Sequence, residues 1–151
     1  MTDPAGDPLP FIFFNEVGII EQLSRTAAER VLPPGMSMAG FSVLNHMIRL
    51  GHAERAPSRI ASAMQVTRGA MTGTLKRLES EGWIEITPDP EDGRGKAVRV
   101  TPAGRAARSA ALEALEPLFG HLMGGKIEPA ELEAALPFLR KVRTILDAAR
   151  D

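Results

Sequence analysis

The sequence predicts a mainly α-helical fold with one small β-hairpin, arranged as a winged helix-turn-helix lobe with a helical dimerisation region. Three observations support this fold class. Apolar residues recur at helical spacing through most of the chain, and two short helical patterns are separated only by residues 65–67. A β-rich pair of segments then follows, joined by a loop with two glycines, Gly93 and Gly95.

The composition limits the classes of protein that need consideration. The chain has 151 residues and no cysteine, which excludes disulfides and thiol chemistry. The net charge is -1, but residues 52–108 contain ten basic and seven acidic residues, a local charge of +3 that favours a phosphate-binding surface. The N-terminus has no basic region before its apolar residues, and no apolar run is long enough to span a membrane. We therefore expect a cytoplasmic protein without membrane contact.

The chain is expected to form a single domain over residues 1–151. Within it, residues 37–102 are the predicted winged helix-turn-helix lobe, and residues 11–36 and 103–149 are the predicted dimerisation helices. Residues 1–10 contain three prolines and two aspartates and are predicted to form an extended arm.

The helices and strands are delimited by capping and turn residues. Ser37, Thr67 and Thr101 are predicted N-caps, and Gly82 is a predicted left-handed helix end. Pro117 and Pro137 interrupt two helical patterns, and we keep these helices while predicting bends in them. The predicted helices cover 11–32, 37–50, 57–64, 68–81, 102–123 and 129–149, and the predicted strands cover 83–87 and 97–101.

The helix at 68–81 has the properties of a DNA recognition helix. It is the second helix of the helix-turn-helix, and Met71, Leu75 and Leu78 form its predicted buried stripe. Its other face has no acidic residue before Glu79. Its two glycines lower the stability of the helix, which is useful only if a ligand must come close to the helix backbone. Arg68 and Thr72 are predicted to contact bases and the remaining basic residues phosphates. The predicted DNA-binding residues of this segment are Thr67, Arg68, Gly69, Thr72, Gly73, Lys76 and Arg77.

The hairpin has a tip that could reach DNA as a wing. Arg94 and Lys96 are predicted to contact DNA, with Arg94 suited to the negative potential of a minor groove. Asp92 is expected to shape the wing by a charge-assisted hydrogen bond to Arg94 or a neighbouring arginine. Arg94 could also be a simple turn residue paired with Asp92, and the two roles are compatible.

These motifs together resemble the MarR family of bacterial transcriptional regulators. The most specific stretch is Leu75-Lys76-Arg77-Leu78-Glu79-Ser80-Glu81-Gly82-Trp83-Ile84. It is followed by Asp89, Asp92 and Arg94, then by Val98-Arg99-Val100-Thr101 and Gly104. The resemblance extends from about Phe11 to Ala149. Departures are Gly95, where a polar residue is common, and the glycines at positions 69 and 73.

The resemblance implies a homodimer in which the first helix and the last two helices of both chains interlock. It implies recognition helices at Thr67–Ser80 in successive major grooves of a pseudo-palindromic operator in double-stranded DNA, with Arg94 in the minor groove. It also implies that a small aromatic or phenolic effector could bind between the dimerisation region and the DNA-binding lobe and release the DNA. The function expected from it is that of a ligand-responsive repressor.

A ligand pocket is predicted near the second helix. His46 or Arg49 would meet an anionic or phenolic effector there, and apolar side chains would form the wall. The alternatives are that His46 is a satisfied, partly buried histidine and that the two phenylalanines belong to the dimer core. The predicted pocket residues are Phe13, Phe14, His46, Met47 and Arg49.

Other functional classes find less support in the sequence. We find no nucleophile elbow, catalytic triad or phosphate-binding glycine loop, so an enzyme is not expected. The histidines His46, His52 and His121 are scattered, so neither a metal site nor a cofactor is predicted. A winged helix that contacts protein instead of DNA, and a basic face that is only solvated, remain as alternatives.

Overall fold

The structure is a computed structural model that describes residues 6–150. The described residues form a mainly helical chain with one antiparallel hairpin, as predicted. The elements are α1 (Leu9–Glu29), α2 (Met38–Arg49), α3 (Pro57–Met64), α4 (Arg68–Ser80), β1 (Ile84–Pro88), β2 (Lys96–Val100), α5 (Pro102–Met123) and α6 (Pro129–Ala148).

The chain divides into two compact units within α5. The first unit extends to Leu115, and the second begins at Glu116. The first unit contains the helix-turn-helix and the hairpin, and the second contains the end of α5 and all of α6. The predicted boundaries at residues 36 and 103, which separate a DNA-binding lobe from dimerisation helices, remain a prediction.

Three predicted N-caps are present in the structure. The Ser37 hydroxyl accepts a hydrogen bond from the Gly40 backbone N–H, and the Thr67 hydroxyl accepts one from Ala70. The Thr101 hydroxyl accepts a hydrogen bond from the Gly104 N–H and donates one to the Gly82 carbonyl. Each cap satisfies a donor that the first helical turn leaves without a partner.

The first helix is displaced toward the N-terminus relative to the prediction. It begins at Leu9, within the predicted arm, whose first five residues lie outside the described part of the chain. It ends at Glu29, before the predicted limit at residue 32. Pro33 disfavours helical backbone at the residue before it, so the chain leaves the helix early and turns.

The turn between α3 and α4 is short because Gln65 adopts a left-handed conformation, with φ 54°. Its side-chain amide donates a hydrogen bond to the Ser62 carbonyl, which stabilises this rare backbone geometry for a residue with a Cβ. Gly82, with φ 73°, reverses the chain after α4 as predicted.

The hairpin pairs Ile84 with Val100 at its base and Pro88 with Lys96 next to the tip. The strands are thus shifted by one residue from the predicted ranges, and Lys96 lies in β2 rather than in the loop. Arg55 pairs with Val98 as an isolated bridge on the other side of β2, a contact that the sequence did not predict.

The core of the first unit contains the predicted stripe of α4. Met71, Leu75 and Leu78 are buried, together with apolar side chains from α2, α3 and the hairpin. The largest fully buried side chains are Leu44, Met47, Ile60, Ile84, Val43 and Val98.

Gly104 allows α5 to begin directly against the hairpin. A Cβ added there would lie 2.0 Å from the Trp83 carbonyl oxygen, which no side chain can tolerate. The Thr101 amide donates a hydrogen bond to the same oxygen. Residue 104 is therefore restricted to glycine by a backbone contact rather than by its own conformation.

The second unit is helical and leaves much apolar surface open. Both α5 and α6 continue through their internal prolines, Pro117 and Pro137, and the predicted bends remain a prediction. α6 has no buried residue, although its apolar side chains recur at helical spacing. Between residues 6 and 150, no helix combines the length and the apolar character needed to cross a membrane.

Candidate nucleic-acid interface

The face of α4 opposite its buried stripe is basic and open to solvent. Arg68, Thr72, Lys76 and Arg77 are exposed, and the first turn has no acidic residue. The structure therefore places the predicted base-contacting and phosphate-contacting residues on one side of a single helix.

The two glycines of α4 have no neighbour that would exclude a side chain. A Cβ added at Gly69 or Gly73 would meet nothing within 4 Å. Packing within the described chain therefore does not explain them. Beside them, the Thr72 hydroxyl donates to the Arg68 carbonyl at 2.9 Å, so its methyl group and oxygen lone pairs remain available.

The wing tip is shaped by two aspartates that bind backbone amides. Asp89 Oδ1 accepts from the Glu91 N–H at 2.9 Å, and Asp92 Oδ1 accepts from the Arg94 N–H at 3.1 Å. Asp92 thus binds the backbone N–H of Arg94 and not its guanidinium. Within the described range, no ion pair engages the Arg94 side chain. The acidic residues order the tip and leave that cation exposed.

A groove separates α4 from the wing. Its volume is about 510 Å³, and Thr72 and Lys76 line one wall while Arg94 and Lys96 line the other. An adjoining cleft of similar size brings Arg68 to the same region. Pro57, at the start of α3, lines both and was not among the predicted site residues.

The base of the wing is fixed by residues that precede α3. Arg99 of β2 donates a hydrogen bond to Glu54, and this contact raises the pKa of the guanidinium above its usual value. The Arg55 amide and carbonyl both pair with Val98. These residues are separated by more than forty positions and show no shared sequence pattern, so sequence reasoning could not pair them.

The predicted pocket residues have different environments. Met47 has 0% exposed surface, which makes it a core residue rather than the open wall that we expected. His46 is half-buried and Arg49 is exposed. Phe13 and Phe14 form an edge-to-face pair on α1, with ring centroids 5.2 Å apart. None of the five lines the groove, and an effector-binding role for them remains a prediction.

Comparison with known proteins identifies relatives over the lobe. The sequence profile described as "MarR family" matches residues 35–95. The Multiple antibiotic resistance protein MarR of Salmonella typhimurium is 44% identical over 50 residues, covering 33% of this chain and 35% of the relative. The Escherichia coli protein of the same name is 35% identical over 86 residues, covering 57% of this chain and 58% of the relative. The matched stretches thus span between about a third and three-fifths of these relatives.

The likeness of the fold extends over almost the whole chain. A crystal structure of a mutant MarR from E. coli complexed with operator DNA superposes with a TM-score of 0.73 and 26% identity. The superposition covers 93% of this chain and 99% of that one. The MarR profile, the sequence relatives and the shared fold agree with the motifs identified in the sequence, and the chain is similar to the MarR family, most clearly over residues 35–95.

Proposed function

We propose that this chain is a transcriptional regulator that binds double-stranded operator DNA sequence-specifically as a homodimer and acts as a ligand-responsive repressor. The observation that carries this proposal is the groove in which the basic face of α4 meets Arg94 and Lys96 of the wing. The helix α4 and the wing thus present cations and small side chains to the same ligand. A protein that binds duplex DNA needs such a shared basic surface.

The recognition helix would enter a major groove with its N-terminal end toward the bases. Arg68, at that end, suits bidentate pairing with a guanine, and the Thr72 methyl suits a thymine methyl. Lys76 and Arg77 lie more than two turns beyond Arg68 and suit phosphates. Thr67 caps the helix and orients its first turn. Gly69 and Gly73 would let the helix backbone approach the DNA closely.

The wing would reach the neighbouring minor groove. Arg94 is exposed and lies on a tip whose backbone is fixed by Asp92. An ordered tip loses less conformational entropy on binding, so its guanidinium can be inserted where the minor groove is narrow and most negative. Lys96 follows it in β2 and would contact a phosphate.

A homodimer would cover the apolar surface that the described chain leaves exposed. Phe11 is 58% exposed on α1, and Phe138 is 55% exposed on α6. Patches of large apolar side chains on separate helices mark an interaction surface. A second copy of the chain would place a second recognition helix about 34 Å away, the spacing of successive major grooves. The operator would therefore be pseudo-palindromic. The exposed apolar residues of α1 and α6 are Leu9, Phe11, Phe14, Val17, Ile19, Ile20, Leu23, Leu132, Leu136, Phe138, Leu139, Ile145 and Leu146.

An aromatic or anionic effector would change the spacing of the two lobes. His46 and Arg49 supply donors on α2, and Phe13 and Phe14 supply an apolar wall on α1. The dimer would have one form whose two lobes fit successive grooves and another whose lobes do not. An effector that binds the second form more tightly would lower DNA affinity, and the size of the effect would be set by the difference between its affinities for the two forms. Repression would result from occupation of a promoter and would end when the effector binds.

Fluorescence anisotropy tests this function. The probes are a duplex from the region upstream of the chain's own gene and a scrambled duplex of equal composition, at about 50 and 200 mM salt. Tight, salt-sensitive binding that prefers the upstream duplex is expected. Equal and weak binding to both duplexes would oppose the proposal, and it would favour the winged-helix protein-interaction module.

A further inference from the structure

The recognition helix has two flanks, and the wing lies beside only one of them. Thr72 and Lys76, which are four residues apart, line the groove between α4 and the wing. Ala70 and Thr74, also four residues apart, line a separate cleft of about 180 Å³. Residues at this spacing lie on one side of a helix, so the two pairs mark two different sides of α4. We call the side that carries Ala70 and Thr74 the far flank.

The cleft on the far flank brings α1 next to the recognition helix. Arg25 of α1 lines it together with residues of α2, the end of α3 and the turn before α4. Among the described residues that line this cleft, Arg25 is the one with a charge. Arg77 follows Thr74 by three residues and therefore lies on the same flank. Two exposed arginines from two different helices are thus associated with the far flank.

The dimensions of duplex DNA require contacts on both flanks of a helix in the major groove. An α-helix with its side chains is about 10–12 Å in diameter, and the major groove is about 12 Å wide. A helix that enters the groove therefore has a phosphate strand on each side. Lys76 and the wing would face one strand. The other strand would pass along the far flank, where Arg25 and Arg77 supply the cations.

The guanidinium of Arg25 is held by Glu21 and remains accessible. Its Nε donates to Glu21 Oε1 at 2.6 Å, and its Nη2 lies 2.5 Å from the same oxygen. Both side chains are about half exposed, so water weakens their attraction. A guanidinium has five N–H donors, and several stay available for a phosphate. The Glu21 carboxylate would repel that phosphate and so reduce the affinity.

We propose that Arg25 of α1 binds a phosphate of the DNA strand that passes the far flank of α4, and that Glu21 moderates this contact. The proposal rests on the DNA-binding function above and extends its interface. The first helix, which the sequence assigns to dimerisation, would also be a DNA-binding element.

Fluorescence anisotropy with the upstream duplex measures the contribution of this contact. At about 100 mM salt, Arg25→Ala should lose about five- to tenfold in affinity, and its salt slope should fall by about one. Arg25→Lys keeps the charge and should keep the slope. Arg30→Ala is the matched control, because Arg30 is exposed at the end of the same helix and does not line the cleft. Its slope should remain close to that of the wild type.

The role of Glu21 has its own pair of variants. Glu21→Gln removes the carboxylate that competes with the phosphate, and its affinity should rise by up to about fivefold. Glu16→Gln makes the same change of charge at another exposed position of α1 and should have a smaller effect. If the two variants bound DNA equally tightly, Glu21 would have no part in the contact.

A cleavage probe tests the position of Arg25 on the DNA. The chain has no cysteine, so Arg25→Cys offers a single attachment point for iron–EDTA, which cuts nearby deoxyribose when activated. Gly93→Cys at the wing tip is the reference probe, because a Cβ there meets nothing within 4 Å. The Arg25→Cys probe should cut the strand that borders the major groove on the side away from the wing. The Gly93→Cys probe should cut at the neighbouring minor groove.

The outcomes separate this contact from the DNA-binding function itself. Cutting by the Gly93→Cys probe without cutting by the Arg25→Cys probe would overturn the inference and leave the function in place. Equal affinity and equal salt slope for Arg25→Ala and Arg30→Ala would overturn it too. Weak and equal binding of the wild type to the upstream and scrambled duplexes, with no cutting by either probe, would contradict the DNA-binding function and the Arg25 contact together.

Discussion

Arg108 of α5 donates two hydrogen bonds to the side-chain oxygen of Asn45 in α2, from Nε at 3.3 Å and from Nη2 at 3.0 Å. Both side chains are half-buried and are separated by 63 positions in the chain. Because α5 continues from the lobe into the second unit, this pair fixes the first turns of α5 against α2.

Asn45→Ala should therefore destabilise the protein by about 1–3 kcal/mol, because it leaves a half-buried guanidinium without its acceptor. Urea denaturation of Asn45→Ala, Arg108→Ala and the double variant gives the coupling energy of the pair. Asn15→Ala, at an exposed position of α1, is the control and should change stability little. Additive effects of the two single variants would show that the pair does not contribute as a unit.

Gly104→Ala should be among the most destabilising substitutions in the chain. Its methyl group would overlap the Trp83 carbonyl oxygen, so α5 would have to move away from the hairpin. We expect a loss of more than about 3 kcal/mol, the range of severe steric defects. Gly120→Ala in the same helix meets nothing within 4 Å and should be neutral or stabilising. Similar melting temperatures for the two variants would contradict the close contact at Gly104.

Gly69→Ala and Gly73→Ala should have opposite effects on stability and on DNA affinity. Neither new methyl group meets a neighbour, so each variant should gain up to about 1 kcal/mol of helix stability. Each methyl would stand between the recognition helix and the DNA, so affinity should fall. Thermal unfolding and anisotropy measured on the same samples test both effects. Retention of full affinity in both variants would mean that the DNA does not approach α4 at these positions.

Arg94→Ala should weaken DNA binding and lower the salt dependence by about one ion contact. The fold should not change, because the described structure gives the Arg94 guanidinium no ion-pair partner. Lys126→Ala, an equal loss of charge in the second unit, is the control. If the two variants bound DNA equally well and with the same salt slope, the wing would have no role in binding.

The features of the fold that depend on residues close together in the sequence were predictable. The caps at Ser37, Thr67 and Thr101, and the buried stripe of α4, follow from helical spacing and from the chemistry of short polar side chains. The end of α1 was predicted too late, at residue 32 instead of Glu29, because Pro33 has no N–H to donate to the Glu29 carbonyl.

Contacts between distant residues were not predictable. Nothing in the sequence pairs Arg55 with Val98 or Asn45 with Arg108, because each pair depends on how whole elements pack. Met47 was expected at a pocket wall and is buried in the core, since periodicity does not distinguish a face that packs from one that lines a cavity. The predicted Asp92–Arg94 interaction exists, but through the backbone N–H.

Hydroxyl-radical footprinting of the upstream duplex tests the central claim most directly. The proposed homodimer would place α4 of each chain in successive major grooves and Arg94 of each chain in a flanking minor groove. We predict two protected regions related by a pseudo-dyad, with centres about 10 base pairs apart. A single protected region, or uniform protection without a defined centre, would contradict the account of two recognition helices acting together.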